Sequence, residues 1–261
     1  MKLEAHHIRA LKGKRQLTEL NCFTPEHAAA AEEAGIEMIV SGWKRDRAAI
    51  RAAAPNTHYC FGLIHGDHAN ADEALRDAFE GLSAGADSIY CAMHYDVVAA
   101  LAREGIPVVG HVGLVPQKAR MTGYRAFGKT AAEARTVMDT VRRYEDAGAF
   151  AIEMEIVAAP VATAISQATP LTVISMGSGA GCDVQYLFAI DVLGETPGRI
   201  PRHSRVYDDF KTEHARLHTR RVAAFRHFRD DVTRGQFPAA PEIVNAAEDD
   251  ALATFLADPR A

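Results

Sequence analysis

The chain has no apolar run near the roughly 20 residues that cross a bilayer. Its opening, MKLEAHHIRALKGKR, holds no apolar stretch of the secretory-signal kind. Those two absences set the expectation of a cytoplasmic protein with no membrane partner. There is no excess of basic charge either: 29 Lys and Arg stand against 34 Asp and Glu, a net charge of -5. That balance argues against nucleic acid as a partner. Cysteine is scarce. Cys22, Cys60, Cys91 and Cys182 are far apart, and none forms a Cys-x-x-Cys pair, so neither a zinc knuckle nor a redox dithiol is suggested. Each lies in or beside an apolar run and reads as a small buried hydrophobe in a reducing compartment. Internal repeats, low-complexity segments and interdomain linkers are also missing.

What is present is alternation. Short β-branched or apolar runs, at Leu17–Phe23, Glu37–Val40, His58–Ile64, Ser88–Ala92, Val108–Val112, Ala151–Val157, Leu171–Met176 and, weakly, Leu187–Leu193, are separated by alanine-rich amphipathic segments. The helices have readable starts: Thr24 before Pro25, Asn70 before an acidic first turn, and Thr130 with Glu133 three residues on. Glycines at 35, 85, 105 and 148 mark helix ends. Eight such alternations in 261 residues read as one (β/α)8 TIM-type barrel domain, an α/β fold. A doubly wound open sheet fits the same periodicity. From about residue 206 a C-terminal helical extension is expected: a long polar helix over 207–235, an extended exit at Phe237–Pro241, and a short helix within Ala246–Ala261.

In such barrels the site lies at the C-terminal ends of the strands. That rule singles out Ser41, Gly42 and Trp43, then His65, Asp67 and His68, then Cys91, Ala92 and His94, then His111, Glu153 or Glu155, and Ser175–Gly179. Five of the twelve histidines fall between His58 and His111. His65, Asp67, His68 and His94 offer the makings of a two-histidine, one-carboxylate metal site, although the spacing matches no established ligand motif. Each of these histidines has an equally ordinary reading as a structural hydrogen-bonder. Glu153 and Glu155, two apart in an apolar strand, point the same way. Carboxylates there are costly unless paired, hydrogen-bonded or facing a polar cavity. The run Gly177-Ser178-Gly179-Ala180-Gly181 reads either as an anion cradle of backbone amides or as a tight turn.

The run GHVGLVPQ, Gly110 to Gln117, resembles the signature of the ketopantoate hydroxymethyltransferase family. The similarity continues through Gly35-Ile36, Ala54-Pro55-Asn56, Ala84-Gly85-Ala86, Ala147-Gly148-Ala149, Gly177-x-Gly179 with Asp183, Gln185 and Asp191, Ile200-Pro201, and Gly235-Gln236-Phe237-Pro238. The resemblance implies a barrel of the isocitrate lyase/phosphoenolpyruvate mutase type, a homo-oligomer, a small-molecule carbonyl substrate, and methylenetetrahydrofolate as one-carbon donor if the family reaction is kept. It places the catalytic glutamate on Glu155 and the histidine of the fifth strand on His111. The three acidic residues that place magnesium in the family fall on Gly42, Gly62 and Ala92, so magnesium is not expected here. A serine becomes Trp43, a substrate-side lysine becomes Tyr90, and a long loop shrinks to Lys44-Arg45-Asp46.

Those departures carry physical weight. Magnesium wants hard oxygen ligands in octahedral array, and glycine and alanine side chains supply none. Charge developing beside a carbonyl then needs another sink, such as backbone amides, His111 or a nearby cation. A glutamate in a dry barrel is expected to hold its proton to higher pH. Trp43 and Tyr90 add flat apolar faces, which suits a bulkier or aromatic substrate. The expected site is therefore Glu155 and His111 as catalytic groups, with Trp43, Tyr90, Ser41, His65, His94, Gly177 and Gly179 against the substrate, and no metal. The expected activity is aldol-type transferase or lyase chemistry, making or breaking a C–C bond beside a carbonyl. The family's own 2-oxo acid reaction, another lyase, hydrolase or isomerase reaction on the same barrel, and a non-catalytic ligand-binding descendant remain as alternatives.

Overall fold

The computed structural model describes residues 2–42, 46–245 and 250–257. It divides into two compact units, Met1–Asp208 and Asp209–Ala261. In the first unit the elements run α1 (Ala5–Leu11), β1 (Leu17–Asn21), α2 (Pro25–Glu33), β2 (Met38–Ser41), α3 (Arg47–Ala53), β3 (His58–Gly62), α4 (Ala71–Ser83), β4 (Ser88–Tyr90), α5 (Tyr95–Arg103), β5 (Val108–Gly113), α6 (Ala119–Thr122), α7 (Ala131–Asp146), β6 (Ala151–Glu155), α8 (Ala159–Ala168), β7 (Thr172–Met176), β8 (Val184–Phe188) and α9 (Ala189–Val192). The second unit holds α10 (Phe210–Thr233) and α11 (Ala251–Ala257).

All eight strands pair in parallel and in sequence order, and β8 closes on β1. The open doubly wound alternative is thereby replaced by a barrel. The helix starts follow local chemistry. The Thr24, Asn70 and Thr130 side chains accept from the backbone N–H groups of His27, Glu73 and Glu133, satisfying donors that the first turn leaves unpaired. Glu133 reaches back to the N–H of Lys129, one residue before the position a capping box uses.

The eighth strand corrects the sequence reading. The apolar run Leu187–Leu193 is not the strand; β8 begins at Val184, and the run turns into α9 after Phe188. Pairing on both edges decides this, with Val184 opposite both Leu17 and Ile174. In the tail, the expected extended exit at Phe237–Pro241 gives way to a single 3-10 turn at Ala240–Glu242. The final helix is confined to Ala251–Ala257, and the rest of the expected segment lies partly outside the described residues.

Two apolar clusters hold the barrel. One fills the space between strands and helices, around Ile39, Phe61, Ile89, Leu101, Val141, Tyr144 and Ile152. The other fills the interior with Leu17, Met38, Cys60, Val109, Ile174, Val184 and Tyr186, joined by Ile8 of α1 at the end where the strands begin. Among the described residues, Ile8 covers the interior cluster at the end where the strands begin.

Candidate active site

At the C-terminal ends of the strands lies a cavity of about 400 Å³. Its polar lining includes Asn21, Tyr90, His111, Gln117, Glu153, Glu155, Asp191 and His203. Period-two alternation puts His111, Glu153 and Glu155 inside the barrel. Register sets them side by side, with His111 opposite Glu153 and Gly113 opposite Glu155.

The GHVGLVPQ run can be read atom by atom. A Cβ on Gly110 would lie 2.5 Å from the Tyr144 ring, so glycine there lets α7 pack against β5. Gly113, with φ +86°, passes directly over the Glu155 carbonyl, a position closed to any side chain. The Glu155 carbonyl then accepts from the N–H of Leu114 at 2.8 Å. The motif thus fixes the backbone of Glu155 from the neighbouring strand. Directly after it, Ile156 is left-handed at φ 52°, a strained state for a β-branched residue.

His111 is the hub. Its Nδ1 is hydrogen-bonded to the Tyr90 hydroxyl at 2.7 Å and lies 3.5 Å from Glu153 Oε2, while its Nε2 lies 3.2 Å from Glu155 Oε2. The Nε2 contact is close but poorly aligned, since Nε2 has no hydrogen bond of good geometry. Burial pushes the Glu153 carboxyl well above its ordinary range, and the neighbouring Glu19 and Glu155 push it further. Burial likewise holds the Tyr90 phenol well above its ordinary range, helped by Glu153.

Glu19 was not foreseen from the sequence. It is only 2% exposed, its Oε2 has no partner, and burial raises its carboxyl to about 8. Opposite it in β8 is Tyr186, whose hydroxyl accepts from Asn21 Nδ2 at 3.1 Å. Alternation in Leu17-Thr18-Glu19-Leu20-Asn21 was the signal that could have found it, because it puts Leu17, Glu19 and Asn21 on one face.

The other expected positions divide. Tyr90 and His65 line the cavity, as do Gly42 and Gly62. Ser41 is buried on the opposite face of β2 from the lining residue Val40, and its hydroxyl has no partner. His94 caps α5, accepts weakly from the Asp96 N–H, and is 69% exposed at its side chain. Gly177 and Gly179 are left-handed and face protein: a Cβ would lie 2.7 Å from His203 Cβ in one case and 2.6 Å from Ala159 Cβ in the other. Their loop is stitched inward, with the Ser178 hydroxyl donating to the Met154 carbonyl at 2.7 Å and accepting from the Val157 N–H at 2.9 Å. Trp43 lies outside the described residues.

The histidine-rich metal arrangement does not assemble. His68 is held by Asp77, Nε2 to Oδ2 at 2.9 Å, and His94 faces solvent. Among the described residues no group of three His, Cys, Asp or Glu is placed to hold a metal ion. The family's magnesium does not fit the donor set either. Gly42, Gly62 and Ala92 carry no side-chain oxygen, and a Cβ on Gly42 would already be 3.2 Å from Ile64 and 3.3 Å from the Gly62 carbonyl.

The family model for ketopantoate hydroxymethyltransferase matches residues 44–240. The 3-methyl-2-oxobutanoate hydroxymethyltransferase of Oleidesulfovibrio alaskensis is 31% identical, over 95% of this chain and 92% of its own. That of Hyperthermus butylicus is 33% identical, over 88% and 86%. Among solved structures, 2,3-dimethylmalate lyase, a PEP mutase/isocitrate lyase superfamily member, superposes with a TM-score of 0.55 at 12% identity, covering 98% of this chain and 95% of that one. Phosphonopyruvate hydrolase, solved with oxalate and Mg++, gives 0.54 at 16%, over 99% and 100%. These solved structures share the barrel fold, and the chain belongs to the ketopantoate hydroxymethyltransferase family.

Proposed function

We propose that this chain is an aldol-type enzyme whose chemistry runs on protein groups in place of the family's metal. In the bond-forming direction Glu155 takes a proton from the carbon beside a carbonyl, the resulting enolate attacks a second carbonyl carbon, and protonated Glu155 returns the proton to the alkoxide so formed. In the reverse direction Glu155 takes the β-hydroxyl proton, the C–C bond breaks with its electron pair passing to the enolate, and Glu155 returns the proton to the enolate carbon. Burial keeps the Tyr90 phenol protonated and able to donate. Donation to His111 Nδ1 leaves the imidazole proton on Nε2, facing Glu155. His111 would thus orient the base and steady its charge.

The observation that carries this reading is the Tyr90–His111–Glu155 array lining the cavity, together with the lack of a side-chain oxygen at Gly42, Gly62 and Ala92. A wall of Val40, Leu63, Ile64, Met176, Leu187 and Phe188 suits a substrate bulkier or more aromatic than 3-methyl-2-oxobutanoate. The retained family reaction is the second reading, supported by the 31% identity over 95% of the chain. The four buried, unpaired thiols suit a cytoplasmic setting. Among the described residues no helix is long and apolar enough to cross a membrane. The exposed stripe Leu217, Phe225, Phe228 and Val232 on α10 supports a homo-oligomer.

The test is Glu155→Gln across a panel of aldol donors and acceptors, including 3-methyl-2-oxobutanoate with methylenetetrahydrofolate. Turnover is expected to fall by about 10²-fold or more. Full activity in the variant rules out this role for Glu155. Magnesium-dependent turnover of 3-methyl-2-oxobutanoate above all bulkier carbonyls selects the second reading.

A further inference from the structure

Two polar side chains that line the cavity, Glu153 and Tyr186, keep hydrogen-bonding capacity that the described residues do not fill. The Tyr186 hydroxyl accepts from Asn21 Nδ2 at 3.1 Å, and among the described residues nothing accepts its own hydrogen. Glu19 lies opposite Tyr186, yet Glu19 Oε2 is itself unpartnered, so the phenol does not donate to it. Glu153 makes no hydrogen bond among the described residues. Its Oε2 lies 3.5 Å from His111 Nδ1, a nitrogen already bonded by Tyr90 at 2.7 Å. Burial, then Glu19 and Glu155, push the Glu153 carboxyl well above its ordinary range, and burial, then Glu153 and Glu19, do the same for the Tyr186 phenol. A carboxyl in that state carries an O–H and can donate, as the phenol can. Buried donors that the fold leaves unfilled call for a functional account.

Their placement suits an oxygen beside the reacting carbon. Glu153 and Glu155 stand on one face of β6, two residues and so about 6–7 Å apart along the strand. An enolate that meets Glu155 with its carbon carries its oxygen two bonds further on. A hydrogen bond of about 2.7 Å then closes most of the distance to Glu153. His111 lies against both carboxyls, so the two border one space. Strand β8 is the next but one from β6, and alternate strands of a barrel share interior layers, which sets Tyr186 beside Glu153. Donation from Asn21 to the phenol oxygen makes its O–H the stronger donor.

We propose that the Glu153 carboxyl and the Tyr186 hydroxyl form an oxyanion site, both donating to the substrate oxygen on which negative charge gathers as Glu155 removes the proton. Neither donor gives up its hydrogen: both bonds strengthen as the charge builds and relax as the carbonyl is restored. The identity of that oxygen rests on the aldol reading, whereas the donor pair itself is read from binding.

The probe is 4-nitrophenolate, whose charged oxygen stands for that of the enolate, with 4-nitrotoluene as an uncharged control of similar shape. Both are titrated by calorimetry at pH 7.5 into the full chain carrying Glu155→Gln, in which the amide stands for the base after it has taken its proton. Adding Tyr186→Phe or Glu153→Leu is expected to weaken phenolate binding by about tenfold to a hundredfold and to leave nitrotoluene binding within about threefold. Glu153→Gln, which keeps a donor, is expected to bind phenolate at least about fivefold more tightly than Glu153→Leu. The near-isosteric Tyr186→Phe keeps the test readable if Glu153→Leu does not fold. Unchanged phenolate binding in Tyr186→Phe, equal loss of both probes in it, or no phenolate binding by Glu155→Gln itself overturns the proposal. Exchange of α-protons for deuterium in carbonyl compounds, followed by NMR with the parent chain, tests the aldol reading separately. No exchange, with the phenolate pattern kept, removes that reading and leaves the donor pair standing.

Discussion

Glu19→Gln is the perturbation whose size can be worked most directly from the structure. The carboxyl sits inside the barrel, 2% exposed, with Oε2 unpartnered, and burial moves it from an ordinary value of 4.5 to about 8. Between those values the folded chain holds a proton that the unfolded chain has released. A group raised in the folded state contributes its full stability below pH 4.5 and loses it as pH climbs toward about 8. Each pH unit inside that window costs about 1.4 kcal/mol. At pH 7, about 2.5 units above the unfolded value, the loss relative to a non-titrating amide of the same shape is about 3 kcal/mol. Urea unfolding followed by circular dichroism at pH 5, 6 and 7 measures it. The variant is expected to lie within about 1 kcal/mol of the parent at pH 5 and to exceed it by about 3 kcal/mol at pH 7. Parallel stability profiles for variant and parent would falsify the claim that Glu19 is held protonated in the barrel.

Two further substitutions probe the site's frame. Gly113→Ala would press a Cβ onto the Glu155 carbonyl at a left-handed position; a loss of more than about 2 kcal/mol is expected, and a melting temperature within about 2 °C of the parent would refute it. Tyr90→Phe deletes the 2.7 Å bond to His111 Nδ1. The orphaned imidazole nitrogen is expected to cost about 1–3 kcal/mol in denaturant unfolding and to lower kcat, and unchanged values of both would detach Tyr90 from the array.

Most of the barrel was legible because its signals are local. Seven strands fall on the short apolar runs, and the helices begin at Thr24, Asn70 and Thr130, where a side-chain oxygen meets the first unpaired N–H groups. The eighth strand was not, because the apolar run seen in the sequence starts only at Leu187, three residues into Val184–Phe188, and pairing with β1 and β7 alone marks where the strand begins. That Glu155 and His111 line the cavity was legible from the paired glutamates of the sixth strand and from the Gly110–Gln117 motif. His94 is not among the cavity's lining residues, because a histidine after a strand serves equally well as a helix cap. His68 belongs to Asp77 on α4, a contact that no spacing in the sequence announces. Gly177 and Gly179 looked like an anion cradle, yet the same left-handed angles serve to clear His203 and Ala159.

Interior charge ties these observations together. A barrel that loses three oxygen positions for a metal while holding three interior carboxyls would be left strongly anionic if all of them ionised. It is not, because burial keeps two of the three, Glu19 and Glu153, toward their neutral forms. Of the three, Glu155 is the most exposed, at 8%, and lies 3.2 Å from the imidazole, so it is the one best placed to meet a substrate. The neutral acids beneath it are then more than a tolerated cost. They keep the interior beneath Glu155 and His111 free of added negative charge. On this view Glu19→Gln and Glu153→Gln, taken at a pH where both glutamates are protonated, should leave the base working, whereas driving either parent glutamate to ionise should impair it. The dependence of turnover on alkaline pH is therefore expected to soften in the double variant, because the charges that build up in the parent can no longer form.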